Sequence, residues 1–234
     1  MKKNLLFTAI VLAVVLLSCN SRQSIETDEL IAELFTKEEI QGLRLMINYT
    51  DSVVSCVNPN ANIAMAYHEY LDMQIQMLEA NGDLIAISDL EKYHFLESIN
   101  KSAFDAVFNM LNDARRIKYK DTIVTNLTNF KQLTLSPNGK YSKYLIRLGE
   151  HDDFFKSFSS NLTAMGCMSA SQFNWFIHNH KNFDFSEVKN RLFVSIFILR
   201  IEESYNKKIE RYMKMKEYTP PASEDLSSVL VRIY

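Results

Sequence analysis

The sequence predicts an all-α protein: a bundle of about seven or eight helices around a long, buried C-terminal helix. Five glycines and four prolines in 234 residues are few for the many turns of a β-sandwich or β-barrel. Apolar residues recur at helical spacing in most segments between the polar turns. Hydrophobic residues make up 47% of the chain and charged residues 23%, which is enough apolar material for a packed core.

The first 18 residues have the layout of a secretory signal peptide. Lys2 and Lys3 give a positively charged start, and residues 5–17 form an apolar run that ends at Ser18 and Cys19. This run is too short to cross the hydrocarbon core, which takes about 20 helical residues. We therefore expect a segment that is removed on export rather than a membrane span.

The cleavage region Leu16-Leu17-Ser18-Cys19 resembles the lipobox of bacterial lipoproteins. In that family the cysteine thiol receives diacylglycerol and the signal is cut just before it. The resemblance implies that residues 1–18 are removed and that Cys19 is the lipidated first residue, which attaches the chain to a membrane. The alternative is an ordinary signal peptide whose cysteine is incidental.

Residues 19–26 are expected to form a lipidated tether, because residues 20–24 carry no apolar side chain. The start of the chain is similar to lipoproteins of Bacteroidetes or of spirochaetes. By the same resemblance, Asn20 after the cysteine implies attachment to the outer membrane of the cell envelope. Whether the domain faces the periplasm or the cell surface stays open.

Helix-start and helix-stop signals divide the helical domain, residues 27–221. Thr36 with Glu39 and Ser88 with Glu91 form capping-box patterns, and Gly82 suits a left-handed helix end. The predicted helices cover residues 36–56, 61–80, 88–99 with a restart over 102–111, 121–135, 141–148, 152–165, 169–180 and 186–218. In segment 121–135 the apolar spacing favours a helix, whereas the threonines suit a strand.

Eight of the ten residues from 192 to 201 are apolar, which leaves no polar face. Such a helix is buried all round or spans a membrane, and ten residues cannot span one. We therefore expect residues 192–201 to be the core of the long C-terminal helix, which Pro220-Pro221 ends.

Residues 222–234 form an apolar C-terminal tail, and residues 227–234 have the composition of a strand. The tail is too apolar to stay free in water. Either it lies along the bundle and covers a groove, or it adds as a strand to the sheet edge of a partner.

If Cys19 is lipidated, two cysteine thiols remain, Cys56 and Cys167. An exported protein meets an oxidising compartment, where disulfides can form. A disulfide between them would close a loop of about 110 residues, worth about 4–5 kcal/mol in the chain-entropy model. The alternative is two buried free thiols.

Histidines and carboxylates offer few motifs for metal binding. The segment from His68 to Asp72 is one residue away from the helical zinc-protease pattern, but no third ligand follows at a recognisable spacing, so we expect a half-buried helix face. His178 and His180 point about 200° apart on a helix, and we expect a polar helix end there, where histidine suits the dipole. We predict no metal site.

Catalytic motifs are equally scarce. The chain has no nucleophile elbow and no phosphate-binding glycine loop, so we predict no catalytic residue and no cofactor. Glu150, Asp152 and Asp153 are expected to start a helix rather than to act as paired carboxylates. An aromatic group, which we expect to belong to the core although it could line a ligand site, comprises Phe173, Trp175, Phe176 and Phe183.

A net charge of -2 gives no electrostatic footprint for nucleic acid. The sequence therefore predicts a membrane-anchored, non-catalytic binding module, with an envelope protein, a host protein or a glycan as its partner. The alternative is an envelope enzyme that acts on a glycan or a peptide.

Overall fold

The computed structural model describes residues 24–82, 84–112, 114–119, 122–128, 130–165, 170–214 and 230–232. The predicted signal peptide, residues 1–18, and Cys19 lie outside these residues. The same holds for the start of the tether, for Cys167 and for most of the C-terminal tail.

The described residues are mostly helical, as predicted, and form ten α-helices and five short strands. In chain order the elements are α1 Glu29–Leu34, α2 Lys37–Ser55, α3 Ile63–Asn81, α4 Asp89–Ser98, α5 Lys101–Val107, β1 Phe108–Leu111, β2 Ala114–Tyr119, β3 Thr122–Leu127, β4 Gln132–Leu135, α6 Lys140–Leu148, α7 Asp153–Met165, α8 Ala170–His178, α9 Val188–Arg200, α10 Tyr205–Lys214 and β5 Leu230–Arg232. Short 3-10 turns precede α1 and follow α8, at Ile25–Thr27 and His180–Asn182.

Local signals explain several helix boundaries. The Thr36 hydroxyl accepts from the Glu39 backbone N–H while the Glu39 carboxylate accepts from the Thr36 N–H, so the predicted capping box is present. Gly82 ends α3 with a left-handed φ of 71°, where a side chain would be strained. Ser88 precedes α4 as expected, but its side chain makes no cap hydrogen bond.

Helix α9 is the buried core helix that the sequence predicts. Every side chain from Leu192 to Leu199 is buried, and α9 packs against α2. Phe193 contacts three aromatic rings of α7 edge-on, at centroid distances of 5.0–5.5 Å. The core therefore forms around α9.

Ser195 is a polar residue in the middle of this apolar helix. Its hydroxyl oxygen accepts from Thr50 of α2 at 2.6 Å and lies 3.0 Å from the Tyr67 hydroxyl of α3. Tyr67 in turn donates to Asp51 at 2.8 Å. The buried hydroxyls satisfy one another, which removes the cost of burying them unpaired.

The helix predicted over residues 121–135 is wrong, because β3 and β4 occupy this segment. The restart predicted over 102–111 also ends early, since α5 stops at Val107 and β1 follows. Strand β1 pairs antiparallel with β4, and β2 pairs antiparallel with β3.

Val124 and Leu127 of β3 are buried with Ile209 of α10 in a second, smaller core. The side chains of this segment thus gain burial as strands, which overrides the helical spacing.

The C-terminal part differs from the single helix predicted over residues 186–218. Helix α9 ends at Arg200, residues 201–204 are not helical, and α10 begins at Tyr205. In the tail, Leu230–Arg232 is a strand as predicted, but it pairs with β3 of its own chain, Val231 opposite Ile123. The sheets thus add a β-component that the all-α prediction did not include.

Candidate functional site

An open cleft of about 1060 Å³ lies where α3, β4 and the segment after α9 meet. Its lining combines apolar and charged side chains from distant parts of the chain, among them Leu78, Leu84, Leu133, Phe173, Glu202 and Lys207. Concavities of this size with mixed lining are the usual place for ligands. We therefore treat this cleft as the candidate functional site.

The segment 201–204 forms one side of the cleft because it leaves the helix. Lys92 Nζ of α4 donates to the Ile201 carbonyl oxygen at 2.8 Å. Glu202 Oε1 accepts from the Leu133 backbone N–H of β4 at 2.6 Å and from the Tyr93 hydroxyl at 2.8 Å. Lys92 therefore satisfies the Ile201 carbonyl outside the helix, and the Glu202 side chain attaches the segment to β4 and α4.

Beside this segment lies an ionic cluster of three carboxylates and three cations, of which Asp89, Lys92 and Lys208 are buried and the other three are half-buried. Its members are Asp89, Lys92, Glu202, Glu203, Lys208 and Arg211. Asp89 Oδ1 lies 2.9 Å from Lys92 Nζ, and Asp89 Oδ2 lies 3.1 Å from Lys208 Nζ. Arg211 pairs with Glu203. Because buried charges are costly unless they are paired, this cluster fixes α4, α10 and segment 201–204 relative to one another.

The electrostatics of the cluster favour the ionised form of Asp89 and the neutral form of Tyr93. Burial opposes ionisation of Asp89, but Lys92 and Lys208 outweigh it and hold the pKa of that carboxyl below its usual range. Burial lowers the pKa of Lys92, an effect that Asp89 and Glu202 partly offset. Burial and the Glu202 carboxylate raise the pKa of Tyr93. The Tyr93 hydroxyl therefore stays neutral and donates to Glu202.

A second polar group joins α3 to the turn after α8. His68 Nδ1 lies 2.9 Å from His180 Nδ1, and His180 Nε2 lies 3.1 Å from Asp72 Oδ1. His180 is 1% exposed, whereas His68 is half-buried. Burial lowers the pKa of both rings, and for His68 the neighbouring His180 lowers it further. The three side chains thus form a hydrogen-bonded chain that ends at a partly accessible imidazole.

The expectation of a polar helix end at His178 and His180 is right for one residue and wrong for the other. His178 is exposed and is the last residue of α8. His180 is buried because the chain leaves α8 and turns the ring towards α3. The half-buried helix face expected from His68 to Asp72 is confirmed, but its contact with His180 was not predicted. Among the described residues, no group of three or more His, Cys, Asp or Glu side chains could hold a metal ion.

The cysteines and the acidic residues before α7 are the other candidate residues from the sequence. Cys19 and Cys167 lie outside the described residues, so neither lipidation nor the disulfide is tested. Cys56 is free and exposed rather than buried, and its thiol donates to the Ser52 carbonyl at 3.3 Å. Asp152 caps α7 by accepting from the Phe154 N–H at 3.0 Å, as expected of a helix start.

The aromatic group is divided between core and surface. Phe176 is buried and Phe173 stacks on Phe197 of α9 at 4.4 Å, which confirms the core assignment for these two. Trp175 is instead 47% exposed and lines a surface concavity. Trp175 and Phe176 are adjacent on α8, yet one ring is exposed and the other is buried. Their spacing did not predict this difference in burial.

Comparison of the chain with protein-family models, with curated proteins and with solved structures finds no match. Within the part of the chain that the structure describes, no helix is both long enough and apolar enough to cross a bilayer. The cleft, the ionic cluster and the histidine pair are the features of the described residues that bear on function.

Proposed function

We propose that this chain is a lipid-anchored protein of the bacterial envelope, attached to the outer membrane through Cys19, whose helical domain is a non-catalytic binding module. The cleft is the observation that carries the proposal. It is open, it combines apolar walls with charged groups, and its carboxylates Glu202 and Glu203 are held in ion pairs with Lys208 and Arg211. Carboxylates held in this way suit a rigid binding surface better than proton transfer.

The anchor is tested by the substitution Cys19→Ala. Stable attachment needs two or more acyl chains, and the lipobox-like sequence supplies the thiol that would carry them. We expect the wild-type protein to fractionate with membranes and to show an acyl mass on Cys19, and the variant to lose both. An intact segment 1–18 on the mature protein would contradict the lipoprotein assignment.

The binding role is tested by photo-crosslinking in the native envelope. A photoreactive amino acid is placed at Gln132 or Lys207, which line the cleft, and at Gln41 of α2, an exposed residue that does not. We expect the two cleft positions to give the same discrete adduct and the control position to give none. Identical adducts from all three positions, or no adduct from the cleft, would contradict the proposal.

An envelope enzyme that acts on a glycan or a peptide is the second candidate. The chain of Asp72, His180 and His68 supports it, because a base oriented by a carboxylate is a recurrent arrangement in proton transfer. It ranks second because His68 lies outside the cleft. If the purified protein cleaves envelope glycans or peptides, and His68→Asn abolishes turnover while Lys207→Ala leaves it intact, the enzyme replaces the binding module.

A further inference from the structure

A separate concavity of about 520 Å³ lies between the start of α7 and the exposed side of α8. Its apolar lining is aromatic: the Trp175 indole, which is 47% exposed, with Phe154 and Phe158. Its size falls within the range of small-molecule sites, roughly 300–1000 Å³. Aromatic lining with a few polar groups in a concavity is the usual composition of a ligand site.

Aromatic neighbours pack against the indole, and one of them, Phe154, also lines the concavity. Phe154 stacks on Trp175 with centroids 5.4 Å apart and planes 23° apart, and Phe183 contacts the indole edge-on at 6.5 Å. Phe154 itself packs edge-on against Phe193 of the core helix α9 at 5.3 Å. These contacts connect the indole to the core, so a ligand that packs against it immobilises little additional side-chain motion.

Hydrogen-bonding groups complete the lining of the concavity. Asp153, Ser157, Ser171 and Gln172 line the same concavity, and Gln172 Nε2 donates to the Ser157 carbonyl at 3.2 Å, which orients its amide. Among the described residues, no lysine, arginine or histidine lines it, and Asp153 adds a negative charge. The site thus favours a neutral ligand that has one apolar face and hydroxyl groups around its edge.

We propose that this concavity, the Trp175 shelf, binds a neutral sugar residue of a glycan. The apolar C–H face of the sugar ring stacks on the indole, and the hydroxyl groups at its edge hydrogen-bond with Asp153, Ser157 and Gln172. An anionic sugar is disfavoured by the Asp153 carboxylate. This inference deepens the proposed binding role by naming the ligand class, and it adds a site distinct from the cleft.

Trp175 is the single tryptophan of the chain, so its fluorescence reports on the shelf alone. The full lipoprotein in detergent is titrated with the neutral oligosaccharides of glucose, xylose, mannose and N-acetylglucosamine. We expect a saturable change of emission with at least one of them. Gln172→Ala, which keeps the fluorophore, should weaken that affinity by at least about tenfold, and Lys207→Ala in the cleft should not change it.

Calorimetry with Trp175→Ala completes the test, and far-UV circular dichroism checks that the variant is folded. We expect the oligosaccharide that binds the wild type to show no heat of binding with this variant. Binding that survives the substitution would overturn the inference, as would the failure of every oligosaccharide to bind. An emission change caused by an amphipathic peptide and by no sugar would also overturn it, since it would assign the shelf to a protein partner.

Failure of the shelf is distinguishable from failure of the proposed function. The cleft adducts from Gln132 and Lys207 do not depend on Trp175, so they should persist in Trp175→Ala. Cleft adducts without sugar binding would contradict only the sugar site at Trp175. Sugar binding without cleft adducts would contradict the binding role of the cleft and leave the sugar site supported.

Discussion

Lys92 Nζ donates to the carbonyl oxygen of Ile201 at 2.8 Å, and both groups are buried. In a continuous helix this carbonyl would accept from the backbone N–H four residues later. The lysine takes the place of that donor, and Asp89 balances its charge at 2.9 Å. The relationship explains how the chain can leave the helix after Arg200 without leaving the buried Ile201 carbonyl unsatisfied.

We expect Lys92→Met to lower the free energy of unfolding by about 3–5 kcal/mol, the usual cost of breaking a buried ion pair. The substitution keeps the volume but leaves the Ile201 carbonyl without its donor and removes one cation from Asp89. Urea unfolding measures the loss. The control is Lys101→Met, since Lys101 pairs with Asp105 on the surface with 84% of its side chain exposed, and there we expect a loss of less than about 1 kcal/mol. Equal losses in the two variants would show that the buried cluster does not stabilise the helix break.

The contact between His68 and His180 makes stability depend on pH. Their Nδ1 atoms lie 2.9 Å apart, a distance at which one nitrogen must be unprotonated to accept from the other, so protonating both rings would set N–H against N–H. Burial lowers the pKa of each ring, and Asp72 offsets this only in part, while Lys181 opposes protonation of both. His178 opposes it for His180, whereas Asp184 favours it for His68.

We expect the free energy of unfolding to fall as the pH decreases below about 6.5, the ordinary pKa of histidine. The unfolded chain takes up protons there that the folded chain does not, so the stabilisation is complete above this pH and is lost below it. Urea unfolding over a series of pH values measures the slope. His68→Asn keeps a hydrogen-bonding group but cannot titrate, and it should flatten the slope. His151→Gln, at an exposed position, should leave it unchanged; if both variants keep the wild-type slope, the pair is not its source.

Local chemistry was sufficient to predict the helical framework. The capping box of Thr36 and Glu39, the glycine end at Gly82 and the unbroken apolar run of α9 each depend on residues close in sequence. The break at residues 201–204 had a local signal too, because Ser204 is a residue type that favours helix starts. The apolar pattern that continued through Ile209 concealed it.

The candidate sites depend on contacts that no local pattern contains. His68 and His180 are 112 residues apart, and Tyr93 reaches Glu202 across 109 residues. The strands between α5 and α6 depend on tertiary burial, since Val124 is covered by the second core around Ile209. Spacing alone could not decide between helix and strand for residues 121–135, because both burial patterns use the same apolar residues.

Close packing of α2 against α5 should make Gly42→Ala destabilising. A Cβ atom at Gly42 would lie 2.2 Å from the Cβ of Ala103, so the two helices would have to separate. We expect a loss of about 1–3 kcal/mol in urea unfolding, the usual cost of overpacking, although alanine is the better helix former.

The compensating substitution Ala103→Gly provides the control for this packing. In the double variant the small residue has moved to the other helix, so most of the loss should be recovered, apart from about 1 kcal/mol for a glycine inside a helix. Losses that simply add in the double variant would show that the two positions do not contact each other.

The aromatic core around α9 includes Phe197. Phe197 is 2% exposed, stacks on Phe173 at 4.4 Å and contacts Phe176 edge-on at 4.9 Å. Phe197→Ala removes this ring from a packed interior, and we expect it to lower the free energy of unfolding by about 3–5 kcal/mol. The control is Ile146→Ala on the surface of α6, where 46% exposure predicts a loss of less than about 1 kcal/mol. A loss below about 1 kcal/mol for Phe197→Ala would contradict the central position of α9, because an aromatic ring at the middle of the core cannot be removed so cheaply.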